Sequence, residues 1–153
     1  MNFGEDLSLQ VMQVHRAYQQ HLNSALKKMD VQQHYHILLL LNRLGGKATQ
    51  KTLCDELRIE KSNMVAIIDV LLKKDYVTRE VNYKDRRSKS IALTPKADEL
   101  VATLSQSLTE LEADITDDLT WQELHNCLRV LTRVNDKFKS IHDNVNGLQH
   151  STQ

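Results

Sequence analysis

Hydrophobic residues recur at spacings of three and four positions through most of the chain, a pattern typical of amphipathic helices. Between residues 77 and 93 the period changes to alternation. The helical repeats predict six helices, over residues 5–28, 31–44, 49–58, 62–74, 95–117 and 120–143. The third and fourth are short and joined by a tight connection, which predicts a helix-turn-helix.

The alternating segment predicts a β-hairpin with a charged tip. Val77, Arg79 and Val81 lead into residues 83–89, five of which are charged, and residues 90–93, Ser-Ile-Ala-Leu, follow. The hairpin comes directly after the predicted helix-turn-helix, so the two should form one structural unit.

Helix boundaries are marked by residues that cap helix ends. Gly45 and Gly46 follow the second helix and tolerate left-handed geometry there. The predicted N-caps are Asp30 with Gln33 in a capping box, Thr49, Thr94 ahead of Pro95, and Thr120 with Glu123 in a second capping box.

The composition fits one soluble helical domain, because 153 residues with 41% hydrophobic and 26% charged residues include only four glycines and one proline. The net charge is zero, but it is unevenly distributed along the chain. Residues 47–96 carry twelve Lys and Arg against seven Asp and Glu, whereas residues 97–153 carry four against ten. A basic middle segment favours contact with phosphates there, with a different role for the acidic end.

Several classes of protein are disfavoured by what the sequence lacks. The longest apolar run, residues 37–41, is too short for a membrane span, and no signal peptide precedes it, so a cytoplasmic protein without membrane contact is expected. We find no nucleophile elbow, HExxH motif or glycine-rich phosphate loop, so an enzyme is not expected. Cys54 and Cys127 lie on apolar patterns and are predicted to be buried, unreactive thiols.

The order of elements resembles the MarR family of transcription regulators over nearly the whole chain. The most specific stretch is KDRRSKSIALTPKADELV, residues 84–101. It is similar to the family's wing pattern at Asp85, Arg86, Arg87, Lys89, Leu93 and Thr94, while Ala97 and Asp75 stand where the family often has glycine. The resemblance implies a mainly α fold with a small β-hairpin, a winged helix-turn-helix with N- and C-terminal dimerisation helices.

The same resemblance implies a single domain over residues 1–153. Residues 30–94 would form the DNA-binding lobe, and residues 5–28 and 95–143 the dimerisation region. The implied function is a sequence-specific, ligand-responsive repressor that binds double-stranded DNA at a pseudo-palindromic operator as a homodimer. The alternative is a non-catalytic winged-helix adaptor that binds another protein.

The resemblance assigns DNA contact to the fourth helix and to the hairpin, which is the wing of this fold. A helix that enters the major groove, about 12 Å wide, brings its N-terminal residues to the base edges, and a guanidinium at a hairpin tip suits a narrow minor groove. Arg86 is the first candidate for that insertion. The expected DNA-binding residues are Lys61, Ser62, Asn63, Val65, Ala66, Val70, Lys73, Lys84, Arg86, Arg87 and Lys89. The family geometry implies wing bracing by Asp69, paired with Arg87, and shaping of the wing tip by Asp85.

Family members often respond to a small phenolic ligand, to oxidation or to a metal. The first two helices carry a group of residues that could line a pocket for a small aromatic or phenolic effector: His15, Arg16, Tyr18, His34, Tyr35 and His36. They could equally be solvated or core-edge polar residues. His34 and His36 point about 200° apart on a helix and cannot chelate one ion, so no metal or other cofactor is expected. The family's peroxide sensors carry a cysteine near the start of the first helix, and this chain has none before Cys54.

Overall fold

The computed structural model describes residues 2–27, 34–81 and 89–149. The described chain is mainly α-helical with a small sheet, which confirms the predicted fold class. The elements are α1 Phe3–Lys27, α2 Tyr35–Arg43, β1 Lys47–Thr49, α3 Gln50–Leu57, α4 Lys61–Lys73, β2 Val77–Val81, β3 Lys89–Leu93, α5 Pro95–Ile115 and α6 Trp121–Gln149.

The predicted helix caps are confirmed where the structure describes them. The Thr49 hydroxyl accepts a hydrogen bond from the Thr52 N–H at 3.1 Å and begins α3, and the Thr94 hydroxyl accepts one from the Ala97 N–H at 3.2 Å and begins α5. A capping box begins α6, as Thr120 N–H donates to the Glu123 carboxylate and Glu123 N–H to the Thr120 hydroxyl, at 2.8 and 3.3 Å. Each cap satisfies donors that a helix start leaves unpaired.

Two helix boundaries differ from the prediction by more than two residues. The described part of α2 begins at Tyr35 rather than residue 31, and its N-cap His34 makes no side-chain cap hydrogen bond. Asp30 and Gln33, the predicted capping box, lie outside the described residues. The last helix continues to Gln149 instead of ending at residue 143, because no described residue beyond 143 adopts a left-handed backbone that would end it.

The sheet has three antiparallel strands in the order β1-β3-β2. In the hairpin Val77 pairs with Leu93 and Val81 with Lys89, as the alternation predicts. The first strand was not predicted. It pairs Ala48 with Ile91 and is only three residues long, too short for alternation to reveal it.

The chain divides into two compact units, Met1–Glu110 and Leu111–Gln153, with the boundary inside α5. In the first unit one hydrophobic core joins α1, α2, α3, α4, the sheet and the start of α5. Its fully buried members include Leu22, Leu26, Ile37, Leu38, Leu41, Leu53, Met64, Ile68, Leu71, Ile91, Leu100 and Leu104. In the second unit no described α6 side chain is buried.

Candidate nucleic-acid interface and effector cleft

The third and fourth helices form the predicted helix-turn-helix. Leu53 of α3 is fully buried, and Arg58 ends that helix in a left-handed conformation with φ 53°. The Ile59 N–H donates to the Cys54 carbonyl at 3.2 Å and closes the turn. On α4, Met64, Ile68 and Leu71 are fully buried, so one side of the helix is fixed against the core and the other is left to solvent.

The solvent side of α4 carries the side chains that the sequence assigned to DNA contact. Those exposed are Lys61, Ser62, Asn63, Val65, Ala66 and Lys73, while Val70 is half-buried. Helical spacing aligns Ser62, Ala66, Asp69 and Lys73 in one stripe, which we call the outer stripe. Five of the seven side chains assigned to DNA contact on α4 are short and uncharged, so the helix can approach a partner surface closely.

The outer stripe contains one negative charge, and that charge is paired. A carboxylate oxygen of Asp69 lies 2.6 Å from the Arg79 guanidinium, so α4 and β2 are joined by an ion pair. Both side chains remain about half exposed. A pair in that setting contributes at most about 1 kcal/mol to stability. Arg79 was visible in the alternating pattern, but only the register of the hairpin shows that it reaches Asp69.

The tip of the wing lies beyond the part of the chain that the structure describes. Lys84, Asp85, Arg86 and Arg87 are outside the described residues, and so therefore is the Arg87 partner predicted for Asp69. Lys89 begins β3 opposite Val81, so the backbone of the wing is described up to both strand ends.

A cleft of about 270 Å³ lies in the first unit. Its described lining is His15, Tyr18, Tyr35, His36, Leu39 and Leu108. Four of the six predicted pocket residues therefore come together here. Arg16 and His34 are not among the described residues that line it, and the sequence missed the two leucines, which form its apolar part.

The aromatic side chains of the cleft are in close contact. The Tyr35 and His36 rings have centroids 3.9 Å apart, and the His15 and His36 rings are stacked at 6.2 Å. Desolvation against this cluster, followed by the effect of His15, lowers the pKa of His36. Burial, followed by Tyr18, raises the pKa of Tyr35. Near neutral pH the cleft therefore presents a neutral imidazole and a neutral phenol, both able to donate hydrogen bonds.

Large apolar side chains remain exposed on α1 and on α6. On α1 they are Phe3, Leu9, Val11, Met12 and Val14, and on α6 Trp121, Leu128, Val130, Phe138 and Ile141. Within the second unit, Val130, Val134, Phe138 and Ile141 line a shallow groove flanked by Arg133 and Lys137. Such contiguous apolar surfaces mark interfaces more often than free surface.

The prediction that both cysteines are buried is wrong for Cys127, which is exposed. Cys127 does lie on the apolar side of α6, but no described residue of its unit covers that side. Cys54 is half-buried, and desolvation is the main cause that raises the pKa of its thiol. A raised thiol pKa keeps Cys54 protonated and poorly nucleophilic.

Metal sites and membrane spans are both absent from the described residues. No group of three or more His, Cys, Asp or Glu side chains is arranged there to hold a metal ion. None of the helices in the same part of the chain has an apolar stretch that could cross a membrane.

Comparisons with known proteins agree with this geometry. The model of the MarR family matches residues 28–88, which run from before α2 to just before β3. The structure of transcriptional regulator PA3341 is 27% identical, with a TM-score of 0.75 over 88% of this chain and 98% of that one. A mutant MarR from E. coli complexed with operator DNA is 23% identical, with a TM-score of 0.70 over 88% and 98%. An organohalide-sensing transcriptional regulator bound to 2,4-dichlorophenol is 18% identical, with a TM-score of 0.73 over 90% and 82%.

Proposed function

Because this chain belongs to the MarR family, we propose that it is a sequence-specific, non-catalytic transcription regulator that binds double-stranded DNA as a homodimer. The observation that carries the proposal is α4, whose buried face is fixed by Met64, Ile68 and Leu71 while its N-terminal turn is open to solvent. That is the arrangement a recognition helix needs in the major groove. The operator-bound MarR of E. coli shares this fold.

Direct reading of bases falls to a few side chains of α4. Asn63 is exposed and suits bidentate pairing with adenine, and Val65 and Ala66 suit contact with thymine methyl groups. The α4 turn carries no arginine for guanine. The remaining affinity would come from phosphates and from Arg86 and Arg87 of the wing in the minor groove.

Selection of bound fragments from the source genome tests the proposal. We expect a specific fragment whose affinity falls steeply as salt rises from about 50 to about 200 mM, because each phosphate contact releases counterions. Replacing Arg86 and Arg87 by alanine should lower that affinity at least about tenfold. A matched double variant, Arg129→Ala with Lys139→Ala on α6, removes two positive charges outside the predicted DNA-binding lobe and away from the α6 groove, and should bind normally.

Two results of this experiment would contradict the proposal. If no genomic fragment is retained, DNA binding is excluded. If a fragment is retained but its affinity does not depend on salt or on Arg86 and Arg87, the wing does not contact DNA in the proposed manner. A salt-insensitive protein partner captured in place of DNA would support the adaptor function instead.

The ion pair between Asp69 and Arg79 gives a second prediction. Arg79→Ala should lower operator affinity about fivefold, because it removes the brace between α4 and β2 and also leaves an unpaired carboxylate facing phosphates. Asp69→Ala removes only the brace and should cost less. Titration of the operator fragment with each single variant and with the double variant measures the order of their affinities.

Stability serves as the control for these variants. Because the ion pair is half exposed, the temperature of thermal unfolding should change little in either single variant or in the double variant. If Asp69→Ala binds DNA and unfolds like the wild type, the pair does not brace the wing. If Arg79→Ala is no weaker than Asp69→Ala, the unpaired carboxylate has no effect on DNA.

We also propose that the cleft binds a small aromatic effector whose binding releases DNA, which makes the protein a ligand-responsive repressor. Apolar Leu39 and Leu108 would contact the ring of such a ligand, and His15, Tyr18, Tyr35 and His36 would bind its polar group. The volume of about 270 Å³ suits a single-ring compound. The similar organohalide sensor binds 2,4-dichlorophenol, which supports this class of ligand.

The lowered pKa of His36 predicts how an anionic effector would bind. A bound carboxylate would favour the protonated imidazole and raise the pKa of His36, so binding takes up a proton. Affinity for benzoate, which stays ionised, should therefore increase as pH falls from about 8 to about 6, by at most about tenfold per pH unit. Calorimetry in buffers of different ionisation enthalpy measures both affinity and proton uptake.

A matched variant isolates the histidine. His36→Gln keeps a polar side chain without a titrating group, and its affinity for benzoate should change less with pH than that of the wild type, since the His15 imidazole remains in the cleft. Equal affinities of the wild type at both ends of this range, or a pH dependence as steep in His36→Gln as in the wild type, would contradict the proposed role of His36.

A further inference from the structure

We infer that Lys96 is a positioning residue for DNA reading, because it fastens the end of the recognition helix α4 to the start of α5. The Lys96 ammonium donates a hydrogen bond to the carbonyl oxygen of Lys74, the C-cap residue of α4, at 2.6 Å. The same ammonium lies 4.5 Å from the centre of the Tyr76 ring. This inference rests on the proposed function, since it concerns how α4 is presented to DNA.

The C-terminal end of α4 is a place where a cation has an electrostatic effect. The last carbonyl groups of a helix carry partial negative charge and lack partners within the helix. Here the chain turns sharply, because Asp75 has a left-handed backbone with φ 61°. The Tyr76 N–H donates to the Leu71 carbonyl at 3.0 Å and closes the turn, and the Lys96 ammonium donates to the carbonyl of Lys74.

The start of α5 provides a fixed support for this contact. Ala97, Leu100, Val101 and Leu104 are buried in the core and hold α5 in place. Thr94, the N-cap of α5, reinforces the same junction. Its hydroxyl donates to the Asp75 carbonyl at 2.7 Å and its N–H to the Tyr76 carbonyl at 3.1 Å. Lys96 thus adds a charged donor to a junction whose other hydrogen bonds named here, from Thr94 and Tyr76, are made by neutral groups.

The effect of Lys96 on DNA binding would be indirect. Lys73, on the outer stripe, is one residue before the C-cap, so movement of the junction displaces the stripe itself. Tyr76 is buried and its ring is held on one side by the core, so the ammonium stacks on a fixed surface. Without the ammonium, the C-terminal turn of α4 should fray more often and the outer stripe should be less well ordered.

Three variants of the full-length protein test the inference, each titrated with the selected operator fragment across a range of salt. Lys96→Met keeps an unbranched side chain of similar length but removes the charge, and should lower affinity about two- to fivefold. Lys96→Arg restores a cation that can donate to the carbonyl and stack on Tyr76, and should recover most of that loss. Lys73→Met removes the same chemical group from a predicted phosphate contact.

The salt dependence distinguishes positioning from direct contact. Lys96→Met should keep the wild-type slope of log affinity against log salt, whereas Lys73→Met should reduce that slope by about one. In the absence of DNA, hydrogen exchange at the Tyr76 amide should be faster in Lys96→Met than in the wild type or Lys96→Arg. That measurement reports on the junction itself.

The outcomes are separable. If the wild type binds its operator and Lys96→Met binds it equally well, the positioning role is wrong while the proposed function stands. If Lys96→Met reduces the salt slope as Lys73→Met does, Lys96 contacts a phosphate directly and the positioning role is wrong. The positioning role is also wrong if Lys96→Arg does not restore the affinity, because the site then requires lysine itself. A wild-type protein that retains no fragment overturns the proposed function, and this inference with it.

Discussion

Replacing Phe138 and Ile141 by glutamate is expected to convert the protein to a monomer and to lower its affinity for a two-fold symmetric operator by about 10²–10⁴-fold. The reason lies on one side of α6. Val130, Phe138 and Ile141 are exposed there by 42, 53 and 56%, and with half-buried Val134 they form a continuous apolar groove. We propose that a second copy of this chain covers that side.

The two-fold symmetry expected of the operator indicates that the partner covering this side of α6 is a second copy of the chain. A helix-turn-helix reads one half-site, and a pseudo-palindromic operator offers two, about one helical turn or a multiple apart. A second copy of α6 meets this need because an isologous interface buries the same apolar residues twice. Loss of the dimer removes the gain in affinity from binding two half-sites at once.

A matched control keeps the change of charge but moves it to the opposite side of the helix. Thr132→Glu with Lys139→Gln also adds two units of negative charge to α6, at exposed positions away from the groove. This variant should stay dimeric and bind its operator nearly as the wild type does. Sedimentation at micromolar concentration measures the mass of each protein. A wild type that sediments as a monomer, or a Phe138 and Ile141 variant that stays dimeric, would contradict the proposed interface.

The sequence predicted best the elements whose signals are local. Thr49, Thr94 and Thr120 cap their helices because a hydroxyl reaches an N–H two or three residues away, and no distant contact is needed. The buried side of α4 follows from helical periodicity in the same way. Asp75 takes the left-handed geometry expected where the family often has glycine. Periodicity and capping are therefore sufficient to locate the recognition helix along the chain.

The features that the sequence could not reveal depend on contacts between distant segments. The first strand exists only because Ala48 meets Ile91 across the sheet, and three residues carry no period of their own. Leu108 lines the cleft from α5, far along the chain from Tyr18 and Tyr35. The pairing of Arg79 with Asp69 could not be predicted, because it depends on how β2 packs beside α4. Cys127 was misjudged because periodicity identifies an apolar side of a helix but not whether the same chain covers it.

Ile68→Ala is expected to lower the free energy of unfolding by about 2–5 kcal/mol, the second large effect. Ile68 is fully buried in the middle of α4, between Met64 and Leu71, so truncation leaves a cavity under the recognition helix. Denaturant titration measures the loss. A variant this destabilised should still bind DNA at low temperature, provided that the folded fraction is taken into account, because Ile68 does not face the outer stripe.

Val65→Ala on the same helix is the matched control. Val65 is 38% exposed, so its truncation should change the free energy of unfolding by no more than about 0.5 kcal/mol. It should instead weaken discrimination at one base pair of the operator, where a valine methyl group would contact thymine. The two variants separate the two sides of α4, since one changes stability and the other changes reading. If Val65→Ala proves as destabilising as Ile68→Ala, or if Ile68→Ala alters base preference, α4 does not divide into a packed side and a reading side.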